Sequence, residues 1–247
     1  MTIIIGVLCQ DGVVVGTDSS ATFTASRVRT IEQPCKKIEI IDDHIIITGT
    51  GQIGLGQRFY EIVDVFWNKK SFRDKSAVQA CKELCELAYK DFGSTGVSKG
   101  SYGSLLAFAA NEEFNLCEFS ENDFQPELKT ENIWYVAMGS GQNIADPFLG
   151  FIRRVFWKNT PPKVNGAIFC VTWALSHTID LNPGGIKGPS QIAILEMTSN
   201  GYRARFLSDA EITEHEDNIN AAEEYLEKYK EILEDKSDKK IPEPPKH

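Results

Sequence analysis

Thr2 follows the initiator methionine and opens an apolar run, Ile3-Ile4-Ile5-Gly6-Val7-Leu8. A small residue after the initiator usually allows the methionine to be removed. That would leave a hydroxyl and a free α-amine on one residue. A hydroxyl is a weak nucleophile until a base takes its proton, and an N-terminal amine is one recognised base for threonine. Such an amine titrates at about 7.7–8.0, so a useful fraction is neutral near pH 7. Taken alone, Met1-Thr2 is equally a common start with no chemistry attached. A second candidate is Asp18, which directly follows the apolar run Val13-Val14-Val15-Gly16-Thr17.

The elements around these residues bear on which reading holds. Thr2 to Leu8 reads as a strand, and residues 12–18 read as its return. Asp11-Gly12 between apolar runs is a strong hairpin signal. The hairpin places the Asp18 carboxylate near its mouth, close to Thr2. Further strands are expected at 35–41, 44–49, 104–110, 114–119, 133–138, 190–197 and 201–207, the last two joined through Asn200-Gly201. Apolar spacing predicts helices over 53–67 and 76–89, and two more near 142–157 and 163–177. Residues 93–103 read as a loop bearing glycine and serine. Paired strands and paired helices, repeated, predict an α+β chain in a four-layer α-β-β-α sandwich. Strands as apolar as Ile3–Leu8 suit a sheet covered on both faces.

The order of these motifs resembles the proteasome β-subunit family of N-terminal nucleophile hydrolases. The matching residues are Thr2-x-x-x-Gly6, the run Asp11 to Thr22, Lys36-Lys37, Thr48-Gly49, Met138-Gly139-Ser140-Gly141, and Asp180 with Gly184-Gly185. The resemblance spans residues 2–207. It implies two antiparallel sheets stacked between helical layers. It also implies amide hydrolysis through an acyl-enzyme on Thr2, with the α-amine as base, acting through a water. Lys37 matches the family's active-site lysine, whose charge favours an alkoxide-like Thr2, and Asp18 would hold that lysine. Lys36 is the competing assignment, and one residue of strand register decides between them. Gly49 matches the oxyanion glycine, Thr22 the position whose backbone pairs with substrate, and Ser140 and Asp180 the residues that orient the amine. Ser140 also reads as a helix N-cap, and Asp180 as an ordinary loop aspartate.

Three departures from the family stand out. Pro183 occupies the place of a serine beside the amine, the stretch from Asp18 to Lys37 is longer, and a helical tail is added. The expected function is therefore a threonine peptidase acting on peptides or unfolded proteins, activated by loss of Met1 with no long propeptide ahead of Thr2. Two alternatives stay open: a non-catalytic assembly subunit, and an amidase acting on a small molecule. Self-assembly into rings or related oligomers is implied by the resemblance, and an ATPase partner is compatible with it.

Bulk properties narrow the field. The net charge of −9 argues against nucleic acid or an anionic membrane as partner. No apolar run reaches the ~20 residues of a membrane span, and the N-terminus lacks the basic stretch of a signal peptide. These point to the cytoplasm. The six cysteines are scattered without a disulfide framework. Cys81 and Cys85, four apart on a helix, are read as core residues rather than a metal pair. No metal or cofactor is expected. The catalytic domain should occupy 1–208 and an amphipathic helix with a disordered end 209–247. Ser208-Asp209-Ala210-Glu211 is a candidate capping box.

Overall fold

The structure is a computed structural model and describes residues 1–25, 28–70, 72, 75–96, 101–182 and 184–234. The chain divides into two units, Met1–Leu207 and Ser208–His247.

The first unit is built on two five-stranded antiparallel sheets. One contains β1 (Ile4–Leu8), β2 (Gly12–Thr17), β10 (Tyr135–Met138), β11 (Gln191–Thr198) and β12 (Gly201–Phe206), in the order β10-β1-β2-β11-β12. The other runs β5-β6-β7-β8-β9, from β5 (Ile38–Ile41), β6 (Ile45–Gly51), β7 (Tyr102–Ala110), β8 (Glu113–Phe119) and β9 (Pro126–Leu128). Helices α1 (Ile53–Asn68) and α2 (Ala77–Ser94) pack on the second sheet, and α3 (Gln142–Val155) and α4 (Val164–Leu181) on the first. The four layers expected from the sequence are present.

Alternation along the strands explains the layering. Ile4, Val13 and Val15 meet Ile38, Ile46, Leu105 and Leu116 in the core between the sheets. On the far side of the second sheet, Phe59 and Phe66 of α1 pack with Phe72, Phe108 and Phe119. Cys81 and Cys85 are buried in this same layer, as core residues. Each large apolar side chain so buried contributes about 1.5–3 kcal/mol. Glycines set two of the spacings. A Cβ on Gly6 would lie 2.5 Å from Leu105, and one on Gly16 would lie 2.6 Å from Val171 of α4.

The sequence reading is corrected in several places. The stretch between Asp18 and Cys35, for which no strand was expected, carries a hairpin, β3 (Ser20–Ala25) with β4 (Val28–Pro34). The strand expected from residue 35 begins at Ile38, and α2 runs on to Ser94. Strand β9 was not anticipated. Asp11 lies in the first hairpin turn and also accepts the Val164 N–H at 2.8 Å, satisfying an end donor of α4.

The second unit is described by a single helix, α5 (Asp209–Glu234). Its capping box forms as expected: Glu211 N–H donates to Ser208 Oγ, and Ser208 N–H donates to the Glu211 carboxylate. The expected disordered end, 235–247, lies outside the described residues, as does Pro183. No helix among the described residues is long and apolar enough to cross a membrane.

Gly16→Ala should destabilise the fold by about 1–3 kcal/mol, because the new methyl overpacks against Val171 and Leu175. Urea denaturation monitored by circular dichroism measures this; an unchanged midpoint would contradict the tight sheet–helix spacing.

Candidate active site

The first hairpin creates the site. Pairing of Ile4 with Thr17 brings the chain ends together, and the Asp18 N–H donates to the Ile3 carbonyl at 3.4 Å. Asp18 is fully buried. Its Oδ1 accepts the Ile3 N–H at 3.1 Å and its Oδ2 the Ser20 N–H at 3.2 Å. Two backbone donors thus fix the carboxylate before any side chain reaches it.

Lys37 completes the pair. Its Nζ donates to Asp18 Oδ1 at 2.7 Å, to Thr2 Oγ1 at 3.1 Å and to the Met1 carbonyl at 3.1 Å. All three ammonium protons are used. The competing Lys36 instead pairs with Glu39 at 2.7 Å, with 55% of its side chain exposed against 9% for Lys37. Register therefore joins Lys37, not Lys36, to Thr2.

Thr2 is held from its other side by the turn after β10. Ser140 Oγ accepts the Thr2 N–H at 3.1 Å and donates to the Thr2 carbonyl at 3.4 Å, and the Gly141 N–H donates to the same carbonyl at 3.1 Å. Gly139 must be glycine here: its φ is +89°, and a Cβ would lie 2.5 Å from the Thr2 carbonyl oxygen. Ser140 is not a helix cap, since the cap of α3 is Gly141. With Met1 in place, the Thr2 nitrogen is an amide.

Thr2 opens into a cleft of about 550 Å³ that Thr22, Gly49 and Tyr102 also line. Thr22 Oγ1 donates to the Gly185 carbonyl at 3.0 Å, tying β3 to the loop after α4. A side chain at Gly49 would collide with Tyr102, whose ring is locked among Phe59, Phe92 and Phe124. Burial pushes the Tyr102 phenol up to about 12, so it stays neutral at physiological pH. Asp180 is the expected residue that the structure does not bring in. It is exposed near the C-terminal end of α4, and its side chain makes no hydrogen bond or ion pair among the described residues.

One contributor escaped the sequence reading. Gln191, first residue of β11, accepts the Lys37 N–H at 3.0 Å and donates to the Cys35 carbonyl at 2.7 Å. It clamps the segment that delivers Lys37. A glutamine 154 positions away carries no local signal of that role.

Comparison with known proteins bears on the family and the fold. The chain matches the proteasome subunit family over residues 2–151. Among solved structures it is similar to Anbu, an ancestral beta-subunit, from Yersinia bercovieri, with 12% identity and a TM-score of 0.63. The match covers 89% of this chain and 94% of that one. A search of curated proteins returned no match.

Lys37→Ala should slow the reaction of Thr2 with a β-lactone by roughly a hundredfold or more, as loss of a directed charge typically does. Lys36→Ala should change it less than about threefold, in line with an exposed pair. Gln191→Ala should fall between them. Rates of adduct formation by intact mass provide the readout, and equal losses for both lysines would refute the assignment.

Proposed function

The chain belongs to the proteasome subunit family, and we propose that it acts as a threonine peptidase once Met1 is removed. The observation that carries the reading is the Lys37 ammonium 3.1 Å from Thr2 Oγ1 and 2.7 Å from the buried Asp18 carboxylate. An ammonium in that place lowers the cost of an oxyanion on the threonine. A buried ion pair is weak evidence for stability, since desolvation offsets its attraction, so the pair is read for where it puts the charge.

In the proposed reaction Thr2 Oγ attacks the scissile carbonyl. Its proton passes to the Thr2 α-amine, through a water, and then to the departing peptide amine. An ester between Thr2 and the acyl half of the substrate results. Water then attacks the ester, giving a carboxylic acid and restoring the hydroxyl. The Gly49 N–H is assigned to the oxyanion, where such a donor is worth about 3–4 kcal/mol of barrier. Thr22 and its strand are assigned to backbone pairing with the substrate. Ser140, already on the Thr2 nitrogen, is assigned to orienting the amine. The same role for Asp180 rests on its place in the family order alone.

Proteasome subunits generally form oligomeric rings, and we extend that to this chain as a homo-oligomer acting on peptides or unfolded protein in the cytoplasm. An ATPase that delivers substrate fits this scheme. The rival reading, a non-catalytic assembly subunit, draws on Pro183 standing in place of a serine.

Intact-protein mass before and after a β-lactone probe, with Thr2→Ala as control, tests the proposal. Loss of Met1 and one adduct are expected in the parent and no adduct in the variant, with peptide hydrolysis abolished and assembly unchanged. Retained Met1 without an adduct would favour the assembly subunit. Hydrolysis surviving in Thr2→Ala would sink the mechanism. Hydrolysis of a small amide but of no peptide would move the assignment to an amidase.

A further inference from the structure

Beside the nucleophile, the cleft carries three charged side chains in its lining: Lys36, Lys37 and Glu39. They are not equivalent. Lys37 is committed to Asp18, Thr2 and the Met1 carbonyl. What a substrate side chain would meet is therefore Glu39 and Lys36.

Strand register shows where Glu39 points. Glu39 pairs with Ile47 across β5 and β6, and paired side chains share a face. Ile47 belongs to the core beneath α1 and α2, whereas Ile38 and Ile46 face the other sheet. The Glu39 carboxylate therefore stands on the α1 side, in the arm of the cleft lined by Ile47, Gly56 and Tyr60. This arm has an apolar floor and one acidic wall. Lys36 reaches only Oε2 of the carboxylate, and Oε1 has no hydrogen-bond partner among the described residues. The Lys36 ammonium lies 5.2 Å from the Phe206 ring centroid, with more than half its side chain in solvent. An exposed i,i+3 pair of this kind is weak and exchangeable.

The charges around Tyr60, which lines the arm, have the same sign. The Tyr60 phenol is raised first by burial and then by Asp64, Glu39 and Asp42, with Lys36 alone opposing. Three carboxylates and one ammonium thus act on Tyr60, a balance that favours a cation beside it.

The residue whose carbonyl Thr2 attacks must place its Cα beside the nucleophile, so its side chain enters this cleft. We propose that the arm selects lysine or arginine at the position preceding the scissile bond, with Glu39 as the recognising carboxylate. Its aliphatic stem lies along Ile47 and Tyr60, and its cationic tip displaces Lys36 into solvent. This deepens the peptidase reading and rests on it.

The test uses Met1-free protein and fluorogenic peptide amides that differ only in that residue: arginine, leucine or glutamate. The arginine substrate should exceed the glutamate one by about tenfold or more in kcat/KM, the scale of one charge-assisted contact. Glu39→Gln should cut the arginine-to-leucine ratio about tenfold while β-lactone labelling of Thr2 is retained. Lys36→Ala should raise that ratio, an effect no loss of packing would produce. Preference for leucine or glutamate, or a ratio indifferent to Glu39→Gln, overturns the pocket assignment while labelled, active Thr2 leaves the peptidase reading standing. No labelling and no cleavage overturns both.

Discussion

A buried carboxylate at the end of β2 is the constraint on which the site depends. Asp18 has no exposed surface, and a charge in such a place is costly unless it is paired and hydrogen-bonded. Two backbone amides and one ammonium occupy it. The amides belong to Ile3 and Ser20, so the same carboxylate fixes the strand that begins after Thr2 and the hairpin that walls the cleft. The ammonium belongs to Lys37, so it also fixes the charge beside the Thr2 hydroxyl. Removing the aspartate would leave Lys37 buried with an unmet charge, which costs more than the pair contributes. The pair therefore serves position more than stability.

The surrounding layers make that position rigid. β1 and β2 are buried on both faces, by the second sheet on one side and α4 on the other. Neither strand can slip by one residue without exchanging Gly6 or Gly16 for a β-branched neighbour, Ile5, Val7, Val15 or Thr17, at a contact that accepts no side chain. Asp11 adds a tie from the first turn to the start of α4. The site thus stands at the end of a hairpin whose register is set by sterics far from the chemistry.

How much of this was legible in sequence follows from which interactions are local. The hairpin, its Asp-Gly turn and the carboxylate at its mouth are encoded within seventeen residues, and alternation plus turn chemistry read them out. The helices announce themselves by apolar spacing, and Ser208 with Glu211 by a capping pattern. The β3–β4 hairpin did not, because Ser20-Ala21-Thr22-Phe23 mixes small polar and apolar residues and its one large apolar side chain, Phe23, is exposed. Lys36 and Lys37 are chemically identical, and only pairing between β5 and β6 separates them. Gln191 acts through contacts to backbone atoms of a distant segment, which no residue type advertises. Asp180 was the converse case, a residue placed by motif order that the fold leaves in solvent.

The grip of the Gly139-Ser140-Gly141 turn on Thr2 has a practical corollary. The hydroxyl of Ser140 and the amide of Gly141 hold the nitrogen and carbonyl of Thr2 while Met1 still precedes it. Folding and chemical competence are thereby uncoupled. A chain carrying an affinity tag ahead of Thr2 keeps every one of these contacts. It would pass tests of shape, melting and solubility while Thr2 lacked the free amine that the proposed mechanism uses as its base, so the exact mass of the N-terminus is the quality criterion for any preparation.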